Sequence, residues 1–274
     1  LVEETPPKII IPSDIDVVFV SDLFADDHLG GAELTTEALI EKSDLNVFKV
    51  HSKLVNLDLI SQGTEKHWVF GNFFNMDLNL IPTIAANLNY SIIEYDYKYC
   101  KYRSPEKHQV AENAPCDCHN DMQGKMVSSF YYAADSLWWM SEKQRDVYHN
   151  YFPFLKKKKN VVLSSMFSDR FFEKINSLNN ERKEKNGKWI IVGSTSWIKG
   201  VDEAKNYCEK NQLDYEVVWG LTHEELLEKF SDSTGHVFMP LGGDTCPRTV
   251  IEAKLLGCEL ILNENVQHAQ EDWF

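Results

Sequence analysis

The sequence predicts an α/β protein of two lobes that face each other across a cleft. Two observations carry this. Short apolar runs alternate with amphipathic stretches along most of the chain, as strands and covering helices do in a mostly parallel sheet. The alternation breaks once, near residues 172–188, and then restarts. A chain of 274 residues is long enough to bury two cores rather than one.

In the first lobe, expected over 1–172, residues 16–20 (Asp-Val-Val-Phe-Val) read as a buried strand. A polar loop follows, and Gly30-Gly31 opens a helix to about residue 42. Further strands are expected at 68–70, 91–93, 137–140 and 161–163. Helices are expected at 81–88, where Pro82 is tolerated in the first turn, and at 142–151. Residues 173–186 are polar and end at Gly187, as a linker does. The second lobe, 187–274, is shorter. Strands are expected at 189–192, 215–219, 236–239 and 259–262, and helices at 202–209, 222–230 and 247–256. The helix at 222 is announced by a capping box, Thr222 with Glu225 three residues on.

Composition narrows the function. Against 28 basic side chains stand 42 acidic ones, a net charge of −14, which repels phosphate backbones and argues against nucleic acid as the main partner. No run approaches the roughly 18 apolar residues of a membrane helix. Six cysteines are too few for a disulfide scaffold and suit a reducing cytoplasm. The chain opens on Leu1, so its natural start is expected to lie upstream.

The most informative stretch is 240–258. A strand ends, a Gly-rich loop including Gly243 and Thr245 follows, and a helix begins near Pro247, a favoured first helical position. Helix starts of this kind attract anions. Asp244 lies in the loop and Glu252 eight residues later on the helix. Two carboxylates so placed suit recognition of sugar hydroxyls, as ionised carboxylates accept hydrogen bonds from OH groups. On periodicity alone, a turn acid and a solvated helix acid are the commoner explanation.

The stretch resembles the C-terminal signature of retaining GT-B glycosyltransferases of glycosyltransferase family 4, Glu-x7-Glu followed by Ala and Gly. Here it runs Asp244-x7-Glu252, Ala253, Gly257. The resemblance implies two Rossmann-like lobes of the GT-B type, with Asp244 on the donor sugar and Glu252 on the nucleotide ribose. Three further segments fall in the family's order. Val192 to Gly200 resembles the loop that grips the donor diphosphate. Lys199-Gly200 matches, but Ser194 replaces an Arg, so binding would lean on Lys199 with donors from Ser194 and Thr195. Gly30-Gly31-Ala32-Glu33 resembles a first-lobe helix start where glycine lets backbone approach the phosphates or acceptor. Trp219-Gly220-Leu221-Thr222 resembles the turn that receives the base.

The implied activity is transfer of a sugar, with retention, from a UDP- or GDP-linked donor to a glycan, lipid or small-molecule acceptor. This reading requires no divalent metal, so no catalytic metal is expected. Ser194 and the short second lobe instead suit a catalytically degenerate nucleotide- or glycan-binding module of the same fold. Outside the motif, Cys100, Cys116, Cys118 and His119 are candidates for a structural zinc site, with a disulfide or free thiols as alternatives. The lysine run at 156–159 beside aromatic residues reads as a solvated turn rather than a membrane contact.

Overall fold

The computed structural model describes residues 9–181 and 184–274. Residues 1–8 of the first lobe, and Arg182 and Lys183 of the expected linker, lie outside the described residues.

The first sheet has six parallel strands, β1 (Val17–Ser21), β2 (Val47–His51), β3 (His67–Phe70), β4 (Asn89–Glu94), β5 (Ser136–Trp139) and β6 (Lys159–Val162). Their order is β2-β1-β3-β4-β5-β6, so the winding reverses between β1 and β3. Every residue of β1 is buried, as a central strand covered on both faces requires. The intervening helices are α1 (Gly31–Lys42), α2 (Leu57–Gln62), α3 (Ile81–Asn87), α4 (Pro105–Glu112), α5 (Met122–Ala133) and α6 (Glu142–Tyr151). Strand β2 has no counterpart among the sequence expectations. It lies at the sheet edge, only Val50 of its five residues is buried, and Lys49 interrupts its apolar run.

After β6 comes α7 (Asp169–Asn180), which occupies 173–180 of the expected linker. Phe171 and Ile175 are buried against Ile190, Val218, Leu227 and Phe230 of the second lobe. The helix is therefore packed structure. The apolar residues of its inner face fall at i, i+4 and i+7 (Phe171, Ile175, Leu178), and the polar residues and exposed Phe172 between them mask the stripe.

The second sheet holds β7 (Trp189–Val192), β8 (Tyr215–Val218), β9 (Gly235–Phe238) and β10 (Glu259–Leu262), all parallel. Its helices are α8 (Val201–Lys210), α9 (His223–Asp232) and α10 (Arg248–Leu255). The order β10-β9-β7-β8 puts the reversal between β7 and β9. Ligand crevices in such sheets open at the carboxyl ends of the strands flanking that point. The capping box at Thr222 and Glu225 forms as expected.

Residues after β10 return to the first lobe. Ser141 Oγ donates to Gln267 Oε1 at 2.9 Å and Lys143 Nζ to the Glu264 carbonyl at 3.1 Å, tying the segment to the start of α6. All six cysteines are free. No helix among the described residues is long and apolar enough to cross a membrane.

Candidate active site

A cleft of about 500 Å³ lies between the lobes. Its walls come from residues that leave strands at their carboxyl ends: Tyr95 after β4, Met140 after β5, Gly193 and Ser194 after β7, Leu221 after β8. The loop before α10 closes the second-lobe side, with Thr245, Cys246 and Pro247 in the wall.

Lys199 ends the one-turn helix Trp197–Lys199, and Gly200 reverses the chain with φ of +66°. A Cβ at Gly200 would sit 1.8 Å from the Met239 carbonyl oxygen, so only glycine lets this loop lie against the exit of β9. The result places Lys199 Nζ 2.6 Å from Asp244 Oδ2. The lysine side chain is 44% exposed and the aspartate 15% exposed, so the ammonium can face the cleft. Asp244 is fixed by its backbone, which donates to the Asn265 carbonyl at 2.9 Å and accepts from Gln267 N at 3.0 Å.

Helix α10 begins after Pro247 with no side-chain cap, Val250 N donating back to the Pro247 carbonyl at 3.2 Å, and the helix start lends positive potential to the cleft wall. Arg248, the first residue of the helix, is buried there. Its guanidinium stacks 4.0 Å from the Phe167 ring centre, donates to the Met166 carbonyl, and reaches Thr35 Oγ1 of the first lobe at 3.3 Å. Burial lowers its pKa and Glu252 raises it; an arginine so placed remains protonated. Glu252 lies one turn on, 1% exposed. Its Oε1 is 2.9 Å from His223 Nε2 and 3.5 Å from Arg248 Nε. Two cations, a helix start and two carboxylates thus line one crevice. That set is complementary to an anion joined to a polyol.

Of the residues singled out from sequence, Lys199, Asp244, Glu252, Gly31, Ser194, Leu221 and Thr245 line this cleft. Ser194 Oγ also accepts from Ser196 N at 3.1 Å, and Thr245 Oγ1 donates to the Tyr95 carbonyl at 3.0 Å, a bond between lobes. Gly30, Thr195, Gly220 and Gly243 are not in the wall. Gly30 precedes α1 as its N-cap, and Gly243 packs behind the loop against Gln267. Arg248, His223 and Thr35 are cleft residues that sequence reasoning missed. The signal for Arg248 was its place directly after Pro247 at an anion-attracting helix start.

The first-lobe cysteine cluster differs from expectation in one ligand. The ligand atoms of Cys100, His108, Cys116 and Cys118 all lie within 4.8 Å of one another. His119 instead stacks on Tyr151, ring centres 4.2 Å apart, with Nδ1 buried and unpartnered. The cause is local. Residues 118–120 form a single helical turn, in which neighbouring side chains point in different directions.

No protein-family model matches the sequence, and no curated protein matches it. Solved structures do. The catalytic domain of starch synthase IV from Arabidopsis thaliana, bound to ADP and acarbose, aligns with a TM-score of 0.57 at 9% identity, over 96% of this chain and 86% of that one. A UDP-forming α,α-trehalose-phosphate synthase from Burkholderia xenovorans aligns with a TM-score of 0.55 at 8% identity, over 93% and 86%. An α-glucosyltransferase in complex with UDP and a 13-mer DNA aligns with a TM-score of 0.54 at 10% identity, over 91% and 79%. At such identities the likeness is one of fold. The chain has the GT-B fold of these glycosyltransferases, two Rossmann-like α/β lobes with parallel sheets.

Proposed function

We propose that this protein transfers a sugar from a nucleoside-diphosphate sugar to an acceptor hydroxyl, with retention of anomeric configuration. The observation that carries the proposal is the convergence of Lys199, Arg248 and the start of α10 with Asp244 and Glu252 on one inter-lobe cleft. Nucleotide ligands in structures of the same fold support it: ADP in the starch synthase and UDP in the α-glucosyltransferase.

In this reading the donor lies against the second lobe. Its diphosphate faces Lys199 and the α10 N–H groups, which stabilise the charge that develops as the sugar–phosphate bond breaks. Asp244 accepts from sugar hydroxyls, and Glu252, held by His223, faces the ribose. Retention is the outcome the motif resemblance implies, and the make-up of the opposite wall supports it. Among the described residues the first lobe contributes Leu29, Gly31, Ala32, Leu34, Thr35, Tyr95, Met140 and Ser165, none of them a carboxylate or imidazole. The Tyr95 hydroxyl is 2.6 Å from Thr36 Oγ1, and burial raises its pKa. An inverting reaction needs a base on the acceptor side to deprotonate the attacking hydroxyl. Without one, the acceptor proton passes to the departing diphosphate oxygen while the new C–O bond forms on the same face.

A second reading is a binding module without turnover, favoured by Ser194 where an Arg would add charge and by the Lys199–Asp244 pair that occupies both groups. Incubation with UDP-glucose, GDP-mannose and ADP-glucose, following nucleoside-diphosphate release, separates the two. Release, with a product of the donor's anomeric configuration, supports transfer. Thermal stabilisation by a nucleotide without release supports the module, and neither response refutes both.

A further inference from the structure

We infer that Cys100, His108, Cys116 and Cys118 form a Cys3His zinc site that staples the long segment between β4 and α5. Four soft or borderline ligand atoms lie within 4.8 Å of one another, and three of the four residues are buried. A tetrahedral zinc ion with bonds of about 2.3 Å to sulfur needs sulfurs about 3.8 Å apart, a small contraction of this cluster. The imidazole already presents a defined atom, since His108 Nδ1 is 3.2 Å from Cys118 Sγ. Spacing C-x7-H-x7-C-x-C places one ligand before α4, one on it and two after it, so a single ion ties three parts of a segment that contains no strand.

The surroundings are shaped to hold the ligands. A Cβ at Gly124 would lie 2.1 Å from the Cys118 carbonyl oxygen, so α5 can pack onto the Cys118 turn only through glycine. Cys100 Sγ lies 3.4 Å from the Ser104 carbonyl, and Ser104 caps α4 by accepting from Lys107 N. On the first turn of α4, Glu106 Oε1 accepts from Gly243 N of the second lobe at 3.3 Å. The ion thus anchors the helix that touches the loop carrying Asp244. Binding releases three thiol protons and leaves the site with one net negative charge, from three thiolates, a neutral imidazole and Zn²⁺.

The test is metal analysis of the full chain purified under reducing conditions, with Co²⁺ substitution as an independent readout. The expected result is about one zinc per chain, and visible absorption typical of tetrahedral cobalt thiolate on exchange. His119→Ala should keep the metal, while His108→Ala should lose it or weaken binding at least tenfold. Chelation should lower the melting temperature by about 5 °C or more. Failure of the wild-type chain to take up zinc or cobalt overturns the site, as does a native disulfide among these cysteines or retention by His108→Ala with loss by His119→Ala. Each result is independent of sugar transfer.

Discussion

Replacing Lys199 with Ala separates a structural role for the lysine from a catalytic one, because the two predict effects of different size on different observables. As a structural element, Lys199 contributes one ion pair to Asp244 whose ammonium side is 44% exposed. Pairs this open to solvent contribute between zero and about 1 kcal/mol. The variant should therefore melt within about 4 °C of the wild type. As the group facing the departing diphosphate, the same ammonium acts in a cleft where charge develops during bond breaking, and loss of one such donor costs about 3–4 kcal/mol in the transition state, or 10²–10³ in turnover. The assay is nucleoside-diphosphate release from whichever donor the wild type accepts, with melting curves on the same preparations. Lys199→Arg should recover part of the rate, since it restores the charge at a different reach. A Lys199→Ala enzyme turning over within threefold of wild type, at unchanged stability, would refute the assignment.

Other expectations concern packing and charge. Gly200→Ala should be destabilised by more than about 2 kcal/mol and lose activity, because φ of +66° and the Met239 carbonyl 1.8 Å from the new Cβ both oppose it; urea denaturation beside turnover measures both. Glu94→Ala should cost about 3–5 kcal/mol, as it leaves Lys98, 2% exposed, with Asp96 at 3.6 Å in place of Glu94 at 2.6 Å, and removes the acceptor for Tyr131 and Tyr148. Burial lowers the pKa of His236 and of His268 from 6.5 to about 4. Unfolding lets both rings take up protons at higher pH than folding does, so stability present above pH 6.5 is lost as pH falls toward 4, at about 3 kcal/mol for each ring. Denaturation series at pH 7, 5.5 and 4.5 check this, and His236→Phe should flatten the slope.

Much of the fold was legible because buried parallel strands are written as short apolar runs, and here each is followed by a loop and an amphipathic stretch. Residues 16–20, 68–70 and 189–192 declare themselves this way. What escaped was what burial alone does not write. Strand β2 is an edge with a lysine in it, and α7 hides a three-residue stripe in a polar sequence. The same logic holds in the cleft. Lys199, Asp244 and Glu252 were found because they fall in segments that resemble glycosyltransferase motifs; Lys199 and Asp244 lie after β7 and β9, and Glu252 on α10. Arg248 was missed because its partners, Thr35 and Met166, stand 213 and 82 residues away, and only tertiary structure brings them to its guanidinium. His119 is adjacent to Cys118 in sequence, yet a helical turn sends adjacent side chains apart while helix α4 carries His108 back to the cluster.

The most direct test of the central claim is a crystal structure of the chain soaked with UDP, GDP or ADP. The expected result is a nucleotide in the inter-lobe cleft, its diphosphate within hydrogen-bonding distance of Lys199 Nζ and the first-turn N–H groups of α10, and its ribose hydroxyls toward Glu252. A nucleotide seated elsewhere, or a cleft left empty by all three at millimolar concentration, would contradict it.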